Sequence, residues 1–309
     1  MIRKSSIINI GLLLAILFTI TPLYTFQYVS AKGKPIFLYI AYHQELEVSY
    51  SDYYRTALEL GQLLGEKIER EVVVKVPPGN TIGSNERVIK AHRKGKADVS
   101  GMQLFAYLVA YETAKVEIAV NSTYGGGSTF YSQFLTHDQT GFDKLDDLAD
   151  QNFCWGEPLS VSGYIVPSLM LEAEGLTAGP DSQHYDSHVE VVQGLYYRSC
   201  VAGATYVDAR GRLPAGEYPD VYEVVQVVEV SPPIPHTGFS IAKNVPKKLR
   251  IAIATALVEI SQDEDGAMLL QTLGYQDLSL VDHSLFNEIE TLMANAGMTA
   301  QEVWDAYYH

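Results

Sequence analysis

The sequence is poor in basic residues. It has 22 Lys and Arg residues against 37 Asp and Glu residues, so its formal net charge at pH 7 is −15. Closely spaced basic residues occur in the segment 93–96, Arg-Lys-Gly-Lys. Because nucleic acids are bound through clustered positive charge, this balance argues against a nucleic-acid partner. It also means that a bound anion has to be held by local geometry, since the overall field repels it.

The sequence also lacks internal repeats, low-complexity segments and a high content of charge. Charged residues make up 19% and hydrophobic residues 47% of the chain, which is the composition of a globular protein and not of a disordered one. At 309 residues the chain is long enough for one large domain or for two lobes.

The long hydrophobic run of the sequence lies near its start. Two basic residues precede an apolar stretch at 7–20, and the triplet Val-Ser-Ala at 29–31 has the small residues of a cleavage site. This order is typical of a secretory signal peptide, which we assign to residues 1–31. An uncleaved membrane anchor is the alternative interpretation of the same stretch. No cysteine lies near the cleavage site, so we expect no lipoprotein anchor. We expect an exported protein, periplasmic or on the cell surface.

Cysteine is scarce, since Cys154 and Cys200 are the two in the sequence. Two cysteines in an exported protein favour one disulfide bond, with two buried thiols as the alternative. Such a bond closes a loop of about 45 residues and stabilises the fold by about 3–4 kcal/mol in the chain-entropy model.

Short apolar strands alternate with helices in the first part of the chain. Predicted strands lie at 35–41, 71–76, 97–101 and 116–120. Predicted helices lie at 85–93, at 103–111 and from a cap at Ser51 or Asp52 to Ile68. Strands that alternate with helices of this length indicate parallel βαβ units in an α/β protein.

A glycine triplet at 125–127 and a proline-rich segment at 231–235 interrupt this pattern. They enclose predicted strands at 130–136, 152–155, 201–207 and 222–230 and predicted helices at 143–148, 168–175 and 189–196. A strand at 239–242 and helices at 247–262, 284–296 and 299–307 follow. This layout predicts lobe 1 at 32–128 and 232–309 and an inserted lobe 2 at 129–231. Each lobe is expected to hold a mainly parallel sheet flanked by helices. Two crossover hinge strands join them, and ligands bind in the cleft between the lobes.

Two hydroxyl residues, Ser160 and Ser162, lie between the predicted strand 152–155 and the predicted helix 168–175. Unpaired backbone N–H groups and the positive end of the helix dipole meet at such a position, and small anions bind there. The alternative is that a serine only caps the helix. From the residues alone both interpretations remain open.

Two motifs of this chain are specific, namely Ser-Val-Ser-Gly-Tyr-Ile-Val-Pro at 160–167 and Ser-Pro-Pro-Ile-Pro at 231–235. They are accompanied, in order, by the segments 97–110, 131–135, 157–167, 187–188 and 200–208. Together these pieces resemble the substrate-binding proteins of phosphonate, phosphite and phosphate ABC transporters. The resemblance implies a two-lobed type 2 periplasmic-binding-protein fold that closes on a small phosphorus oxyanion. It further implies a monomer that docks on an ABC permease, with neither catalysis nor a cofactor.

The resemblance places the oxyanion at Ser160, Val161 and Ser162, on a helix N-terminus. The family normally has Ser-Thr-Ser-Gly here, so Val161 removes one hydroxyl donor. A lost hydrogen bond to a charged group is worth about 1.5–3 kcal/mol. The resemblance also assigns ligand contacts to Tyr131, His188 and Asp208, with hinge packing, helix capping or packing, and turn formation as the respective alternatives. Tyr42 and Gln103 end or follow predicted strands of lobe 1, and we expect them to face the cleft as further ligand residues.

A second departure follows the last proline of the hinge segment. Aminophosphonate binders of the family have an acidic residue there, whereas this chain has His236 and Thr237. Asp208 matches the other position at which those proteins hold the amino group. With one of the two carboxylates absent, 2-aminoethylphosphonate is disfavoured, and other phosphonates, phosphite and phosphate remain.

Three other functions use the same residue types. A Ser-His-Asp hydrolase needs a Gly-x-Ser-x-Gly frame, and neither Ser160 nor Ser162 lies in one. A ferric site would use adjacent tyrosines, which occur as Tyr53-Tyr54, Tyr196-Tyr197 and Tyr307-Tyr308. Two of these pairs lie in predicted helices, where neighbours point to different faces, and we expect no metal. The third alternative is a binding protein or sensor for another small organic ligand, with Val161 marking a drier, less anionic pocket.

Overall fold

The computed structural model describes residues 33–308, so the signal peptide assigned to 1–31 lies outside the described residues. The strands are β1 (Ile36–Ile40), β2 (Val72–Lys75), β3 (Val99–Met102), β4 (Val116–Ser122), β5 (Thr129–Phe130), β6 (Ser132–His137), β7 (Phe153–Trp155), β8 (Gln183–His184), β9 (Ala202–Tyr206), β10 (Val225–Val230), β11 (Ile234–Pro235), β12 (Gly238–Ala242) and β13 (Leu278–Leu280). The α-helices are α1 (Tyr50–Ile68), α2 (Thr81–Arg93), α3 (Leu104–Ala114), α4 (Val166–Ala173), α5 (His188–Tyr196), α6 (Val221–Val224), α7 (Lys247–Ser261), α8 (Glu264–Thr272), α9 (Asn287–Asn295) and α10 (Ala300–Tyr307).

Lobe 1 is built on a six-stranded sheet in the order β13-β4-β12-β3-β1-β2. Strands β2, β1 and β3 are parallel neighbours, as expected for βαβ units connected by α1 and α2. The sheet as a whole is mixed, however, and not mainly parallel as predicted. The reason is that β12, which returns from lobe 2, enters antiparallel between β3 and β4, and β13 is antiparallel to β4.

Lobe 2 is built on a five-stranded sheet in the order β10-β6-β9-β7-β8. It is also mixed, because β6 is antiparallel to both β9 and β10, whereas β7 is parallel to β8 and β9. Cys154 in β7 and Cys200, just before β9, form the predicted disulfide bond. This bond fixes the loop that contains α5 onto the sheet.

The two lobes are joined by a short antiparallel ribbon of β5 and β11, in which Phe130 pairs with Ile234. These are the predicted crossover strands. The ribbon continues into lobe 2 through Ser132 and Ser231: the Ser231 N–H donates to Ser132 O at 2.9 Å, and the Ser132 N–H donates to Ser231 Oγ at 2.9 Å.

The C-terminal helices form a further connection between the lobes. Helix α10 packs against α3 of lobe 1, and α9 packs against α4 of lobe 2. At the end of α10 the Tyr307 hydroxyl donates to Glu172 Oε1 at 2.8 Å. One continuous hydrophobic core therefore runs from α3 through α9 and α10 to α4.

Several predicted boundaries were wrong. Helix α1 starts after Ser49, whose hydroxyl accepts from the Asp52 N–H at 3.1 Å, and α2 starts after the cap Asn80. The segment predicted as one strand at 222–230 begins as the short helix α6, and α8 was not predicted. Within residues 33–308 no helix is long and apolar enough to cross a membrane.

Candidate functional site

The turn that follows β7 begins at Ser160 and opens on the cleft between the lobes. Ser160 caps a π-helical turn at Val161–Ile165, which runs directly into α4. Its hydroxyl accepts from the Gly163 N–H at 3.0 Å, and its carbonyl oxygen accepts from the N–H groups of Tyr164 and Ile165, both at 3.0 Å. The wide turn therefore uses Ser160 as the acceptor for three donors.

The sequence explains this local geometry. Pro167 has no N–H group, so the Gly163 carbonyl oxygen receives no helical hydrogen bond from it. It accepts instead from the Gly156 N–H, at 2.9 Å. The two glycines allow this contact, because a Cβ atom on Gly163 would lie 3.0 Å from Gly156 Cα and 2.9 Å from His188 Cε1.

Three donors of this turn have no partner within residues 33–308. They are the backbone N–H groups of Val161 and Ser162 and the Ser162 hydroxyl. Ser162 is 6% exposed, and its carbonyl oxygen accepts from Ser132 Oγ at 2.6 Å, which fixes the turn to the sheet of lobe 2. Unpaired N–H groups at the start of a helix, where the dipole is positive, are suited to an anion.

His188, the first residue of α5, lies beside this turn. Its Nε2 atom is 3.4 Å from Ser160 Oγ, and its ring packs edge-on against Tyr206 at 4.8 Å between centroids. Its Nδ1 atom is buried and has no hydrogen-bond partner in the described part of the chain. Burial lowers the pKa of His188 below its usual value, because the charged imidazolium loses its hydration.

Asp208 does not complete a catalytic triad with Ser160 and His188. It is exposed, has a φ of 66° and precedes a 3₁₀ turn, where its carbonyl oxygen accepts from the Gly211 N–H at 3.0 Å. Since the Nδ1 atom of His188 has no partner among residues 33–308, nothing there orients the ring as a general base.

Three cavities surround the segment Glu157–Val161. The inner cavity, of about 190 Å³, lies between the lobes and is lined by His43, Leu46, Gln103, Leu104, Tyr124, Phe130, Val161, Pro235, His236, Thr237 and Gly274. The outer cavity, of about 540 Å³, is lined by Gln44, Glu45, Glu47, Asn80, Thr81, Ile82, Glu157 and Leu159. The lobe 2 cavity, of about 310 Å³, is lined by Glu157, Ser160, Asp186, Ser187, His188, Val189 and Tyr206.

No Lys or Arg is among the described residues that line these three cavities. The histidines there are uncharged at neutral pH. Burial lowers the pKa of His43, although the nearby Glu45 carboxylate opposes the shift, and burial lowers the pKa of His236 to about 4. An anion held here would therefore rely on hydrogen-bond donors and the helix dipole, since none of these lining residues is a Lys or Arg.

The structure does not bring the eight predicted ligand residues together at a single cavity. Ser160 and His188 line the lobe 2 cavity, whereas Val161 and Gln103 line the inner cavity. Gln103 caps α3, and its N–H donates to Asn85 Oδ1 at 3.1 Å.

Ser162, Tyr42, Tyr131 and Asp208 line none of the three cavities. The Tyr42 hydroxyl donates to Val48 O at 2.8 Å and its ring packs on Tyr53, so it is held within lobe 1. Tyr131 is 42% exposed and lies between β5 and β6.

Sequence reasoning missed several residues of the cleft, above all His43, Tyr124 and Phe130. His236 was noted only as a departure from the family and not as a cavity residue. Its ring stacks on Phe130, with 4.9 Å between centroids and 21° between planes, and approaches Tyr124 at 4.5 Å. The position of Tyr124, Phe130 and His236 close to the glycine and proline breaks was the available signal, since those breaks form the hinge. His43 follows β1 and has no such signal.

Comparisons with solved structures show the same fold. The Xanthomonas citri protein XAC2383 bound to ATP aligns with a TM-score of 0.60 at 15% identity, over 88% of this chain and 99% of that one. PhnD1 from Prochlorococcus marinus in complex with methylphosphonate aligns with a TM-score of 0.53 at 11% identity, over 85% and 98% of the two chains. A binding protein component of an ABC phosphonate transporter from Pseudomonas aeruginosa gives 0.50 at 17% identity, over 89% and 93%.

The family model of the periplasmic substrate-binding protein of phosphonate ABC transporters matches residues 47–286, which is well over half of the chain. Members of this family bind a substrate and are not enzymes. The structure agrees with this match, because it has two mixed α/β lobes, a two-strand ribbon between them and cavities at the cleft. The chain belongs to the family of periplasmic substrate-binding proteins of phosphonate ABC transporters.

Proposed function

We propose that the chain captures a small phosphorus oxyanion (a phosphonate, phosphite or phosphate) at the turn formed by Ser160, Val161 and Ser162. The observation that carries this proposal is the set of unpartnered donors there within residues 33–308, namely two backbone N–H groups and the hydroxyl of Ser162, a residue that is 6% exposed. Their convergence at a helix N-terminus suits an anion in a site that has no cationic side chain. Val161 supplies a backbone donor but no hydroxyl, so the site is weaker by one hydrogen bond than a Ser-Thr-Ser turn.

The other predicted ligand residues border the turn, support the cavity walls or contact the ligand from lobe 2 in this proposal. His188 borders the turn from lobe 2, and Gln103 of lobe 1 lines the same cavity as Val161. Tyr131 and Asp208 remain proposed ligand contacts from lobe 2, where both are exposed. Tyr42 supports the wall of lobe 1 by packing, because its hydroxyl is bonded to Val48.

We infer a division into lobe 1 at 32–128 and 232–309 and lobe 2 at 129–231. All strands of the five-stranded sheet lie between Ser132 and Val230, which supports these limits. Closure is then a hinge motion about β5 and β11. The closed protein, exported through its N-terminal segment and either released or tethered by it, meets the permease as a monomer.

A second candidate is a small organic ligand that is not a phosphorus oxyanion. The lack of Lys and Arg around the three cavities and the uncharged state of His43 and His236 favour it. Ferric-ion binding has weaker support. Within residues 33–308 there is no group of three or more His, Cys, Asp or Glu side chains that could hold a metal ion. Tyr53 is also buried and donates to Ala41 O at 2.8 Å.

A thermal-shift screen tests the ligand class. Phosphate, phosphite, methylphosphonate, 2-aminoethylphosphonate and a panel of neutral metabolites are compared at equal concentration, and at least one of the phosphorus oxyanions is expected to raise the melting temperature. A rise with neutral metabolites alone would favour the second candidate. A visible tyrosinate absorption band on addition of ferric ion would favour a ferric-ion site.

The Ser162→Ala variant tests the site. Loss of a hydrogen bond to a charged group, about 1.5–3 kcal/mol, weakens binding by about 10-fold or more in calorimetry. Ser240→Ala is the matched control, since Ser240 is a buried serine, 1% exposed, that lies in β12 of the lobe 1 sheet and outside the turn. Equal affinity in Ser162→Ala and Ser240→Ala would show that the turn is not the binding site.

A further inference from the structure

One edge of the lobe 1 sheet lies opposite the cleft. Strands β1 to β4 begin at this edge and β12 ends there, since the Lys243 N–H donates to Lys115 O at 2.9 Å and the Ala242 N–H donates to Asp98 O at 2.9 Å. The residues that line the inner cavity follow the other ends of β1 and β3. We call the exposed surface at this edge the basic face. It comprises the segment before β1, the connections α1–β2, α2–β3, α3–β4 and β12–α7, and the first turn of α7.

Basic residues outnumber acidic ones on the basic face, although the chain as a whole is acidic. The acidic residues of the face are Glu69, Glu71 and Asp98. The opposite edge differs, because acidic residues but no Lys or Arg among residues 33–308 line the outer and lobe 2 cavities. Positive charge is therefore concentrated on the side of lobe 1 away from the cleft. The basic residues of the face are Lys34, Arg70, Lys94, Lys96, Lys115, Lys243, Lys247, Lys248 and Arg250.

Most lysines of the basic face have no carboxylate partner. Lys243 Nζ lies 3.9 Å and Arg250 Nη1 3.1 Å from the Glu117 carboxylate, so these two charges are partly neutralised. The other lysines are exposed and form no ion pair with any residue between 33 and 308, namely Lys34, Lys94, Lys96, Lys115, Lys247 and Lys248.

Stabilisation of helices explains only some of these lysines. Lys94 and Lys115 follow the C-termini of α2 and α3, where the helix dipole favours a cation. Lys247 and Lys248 lie in the first turn of α7, where the dipole disfavours a cation, and that turn contains no acidic residue. Their positive charge therefore serves something other than the stability of α7.

Ile251 adds a large apolar side chain to the basic face. It is 58% exposed and lies one helical turn after Lys247 and Lys248, so the three side chains share one side of α7. Lysines beside an exposed apolar side chain suit a bilayer surface, where the lysines meet anionic headgroups and the apolar group enters the boundary of the acyl region. The N-terminal segment with its apolar stretch at 7–20 also joins the fold here, since Gly33 and Lys34 precede β1.

We propose that the basic face docks on a membrane surface that contains anionic phospholipids, and that the N-terminal segment, where it is retained, anchors the protein in this orientation. The cleft then opens away from the lipid, towards free solute. At an ionic strength of about 0.1 M, charges more than about 10 Å apart are largely screened, so the acidic residues at the cleft do not oppose the contact. The contact is salt-sensitive and therefore reversible.

Fluorescence quenching by lipid tests this orientation. The full chain is reconstituted into vesicles of phosphatidylcholine with a trace of headgroup-nitroxide phosphatidylcholine, with or without about one third phosphatidylglycerol. A fluorophore is attached to Asn244→Cys on the basic face or to Gln44→Cys at the cleft, and Cys154 and Cys200 do not compete because they form a disulfide bond. Phosphatidylglycerol is expected to increase quenching about threefold or more at position 244 and not at position 44. Equal quenching at both positions, or no effect of phosphatidylglycerol, would overturn the proposal.

Charge reversal in α7 tests which surface makes the contact. Lys247→Glu and Lys248→Glu together are expected to abolish the effect of phosphatidylglycerol at position 244. Because glutamate in the first turn of a helix is favourable, this variant is expected to be at least as stable as wild type, and the loss is then not one of folding. Lys144→Glu with Arg212→Glu, both exposed in lobe 2, changes the net charge equally and is expected to retain the effect. Loss in both variants, or in neither, would refute the basic face as the contact surface.

Discussion

The Nε2 atom of His188 lies 3.4 Å from the Ser160 hydroxyl oxygen, which already accepts from the Gly163 N–H at 3.0 Å. If the imidazole proton is on Nε2, the ring donates to Ser160 and leaves the Ser160 proton free for a ligand. If it is on Nδ1, the Ser160 hydroxyl donates to the ring and the ligand loses a donor. The protonation of His188 is therefore coupled to the donor capacity of the turn at Ser160, Val161 and Ser162, which we call the oxyanion turn after its proposed ligand.

Ligand affinity is expected to rise as the pH falls. Burial holds the pKa of free His188 below its usual value of 6.5, so the ring is neutral at pH 7. A bound anion raises this pKa, and binding then takes up a proton in the pH window between the free and the bound pKa. Calorimetry with monomethyl methylphosphonate, which stays a monoanion, is expected to show severalfold tighter binding at about pH 5.5 than at about pH 8.

The His188→Gln variant is the control for this pH dependence. Glu157 and Asp186 line the same cavity and are present in both proteins, so their effect cancels in the comparison. The variant is expected to bind with an affinity that is flat over this range. A variant that keeps the full pH dependence would assign it to another group.

Gly163→Ala is expected to destabilise the protein and to abolish oxyanion binding. The added Cβ would lie 2.9 Å from both His188 Cε1 and Ser160 Oγ and 3.0 Å from Gly156 Cα, so the turn or α5 has to shift. Overpacking of this kind costs about 1–3 kcal/mol. Urea unfolding measures the loss, and Gly216→Ala, where nothing lies within 4 Å, is expected to change neither stability nor binding. Wild-type behaviour of Gly163→Ala would mean that the close approach is not required.

The sequence was sufficient for the features that depend on local pattern. Alternating apolar strands and helices predicted β1 to β4 and α1 to α3, and the breaks at 125–127 and 231–235 predicted the crossing between lobes. The disulfide between Cys154 and Cys200 was predicted because the sequence has two cysteines and the pattern of an exported protein. These features are determined by hydrophobic periodicity, by turn-forming residues and by the presence of two cysteines, all of which can be read without knowledge of tertiary contacts.

Features that depend on long-range packing were not predictable in the same way. Strand β12 has the same apolar pattern as its neighbours, and its antiparallel position between β3 and β4 follows from the route of the chain through lobe 2. Helix α8 was missed because Gly266 in its first turn lowers helix propensity. That glycine is required, since a Cβ atom there would clash with the Ile260 carbonyl oxygen. The participation of His43 and Tyr124 in the cleft depends on how the lobes meet.

Acidification is expected to destabilise the protein through His92. This side chain is 5% exposed, bonded through Nε2 to Ser100 Oγ at 2.7 Å, and burial lowers its pKa to about 4. The unfolded chain, with a histidine pKa of about 6.5, binds the proton first, so stability is lost as the pH falls from about 6.5 towards 4. At pH 5 the loss from this residue is about 2 kcal/mol.

Urea unfolding of wild type and His92→Gln at pH 7.5 and pH 5 measures this contribution. Glutamine retains a hydrogen bond to Ser100 but does not titrate, so the variant is expected to lose about 2 kcal/mol less between the two pH values than wild type. His43, His188 and His236 remain in both proteins and cancel in the difference. An equal loss in both proteins would exclude His92 as the acid-sensitive group.

Tyr307→Phe is expected to loosen the connection between the C-terminal helices and lobe 2. The Tyr307 hydroxyl bonds Glu172 on the exposed surface of α4, and its ring packs edge-on against Tyr164 of the oxyanion turn at 5.6 Å between centroids. Loss of the hydroxyl removes the hydrogen bond and leaves the ring contact, at about 0.5–1.5 kcal/mol of stability. Hydrogen–deuterium exchange is expected to become faster in α10 and in α4, because α10 then separates from lobe 2 more often.

Tyr196→Phe is the matched control, since the Tyr196 hydroxyl bonds the Asp220 carboxylate at 2.7 Å within lobe 2. It is expected to lower stability by a similar amount while the exchange of α10 stays at its wild-type rate. A comparable change of α10 exchange in both variants would mean that the effect reports general stability and not the contact between Tyr307 and Glu172. If α10 responds only in Tyr307→Phe, the contact connects lobe 1, through α3 and α10, to the helix whose N-terminus forms the oxyanion turn.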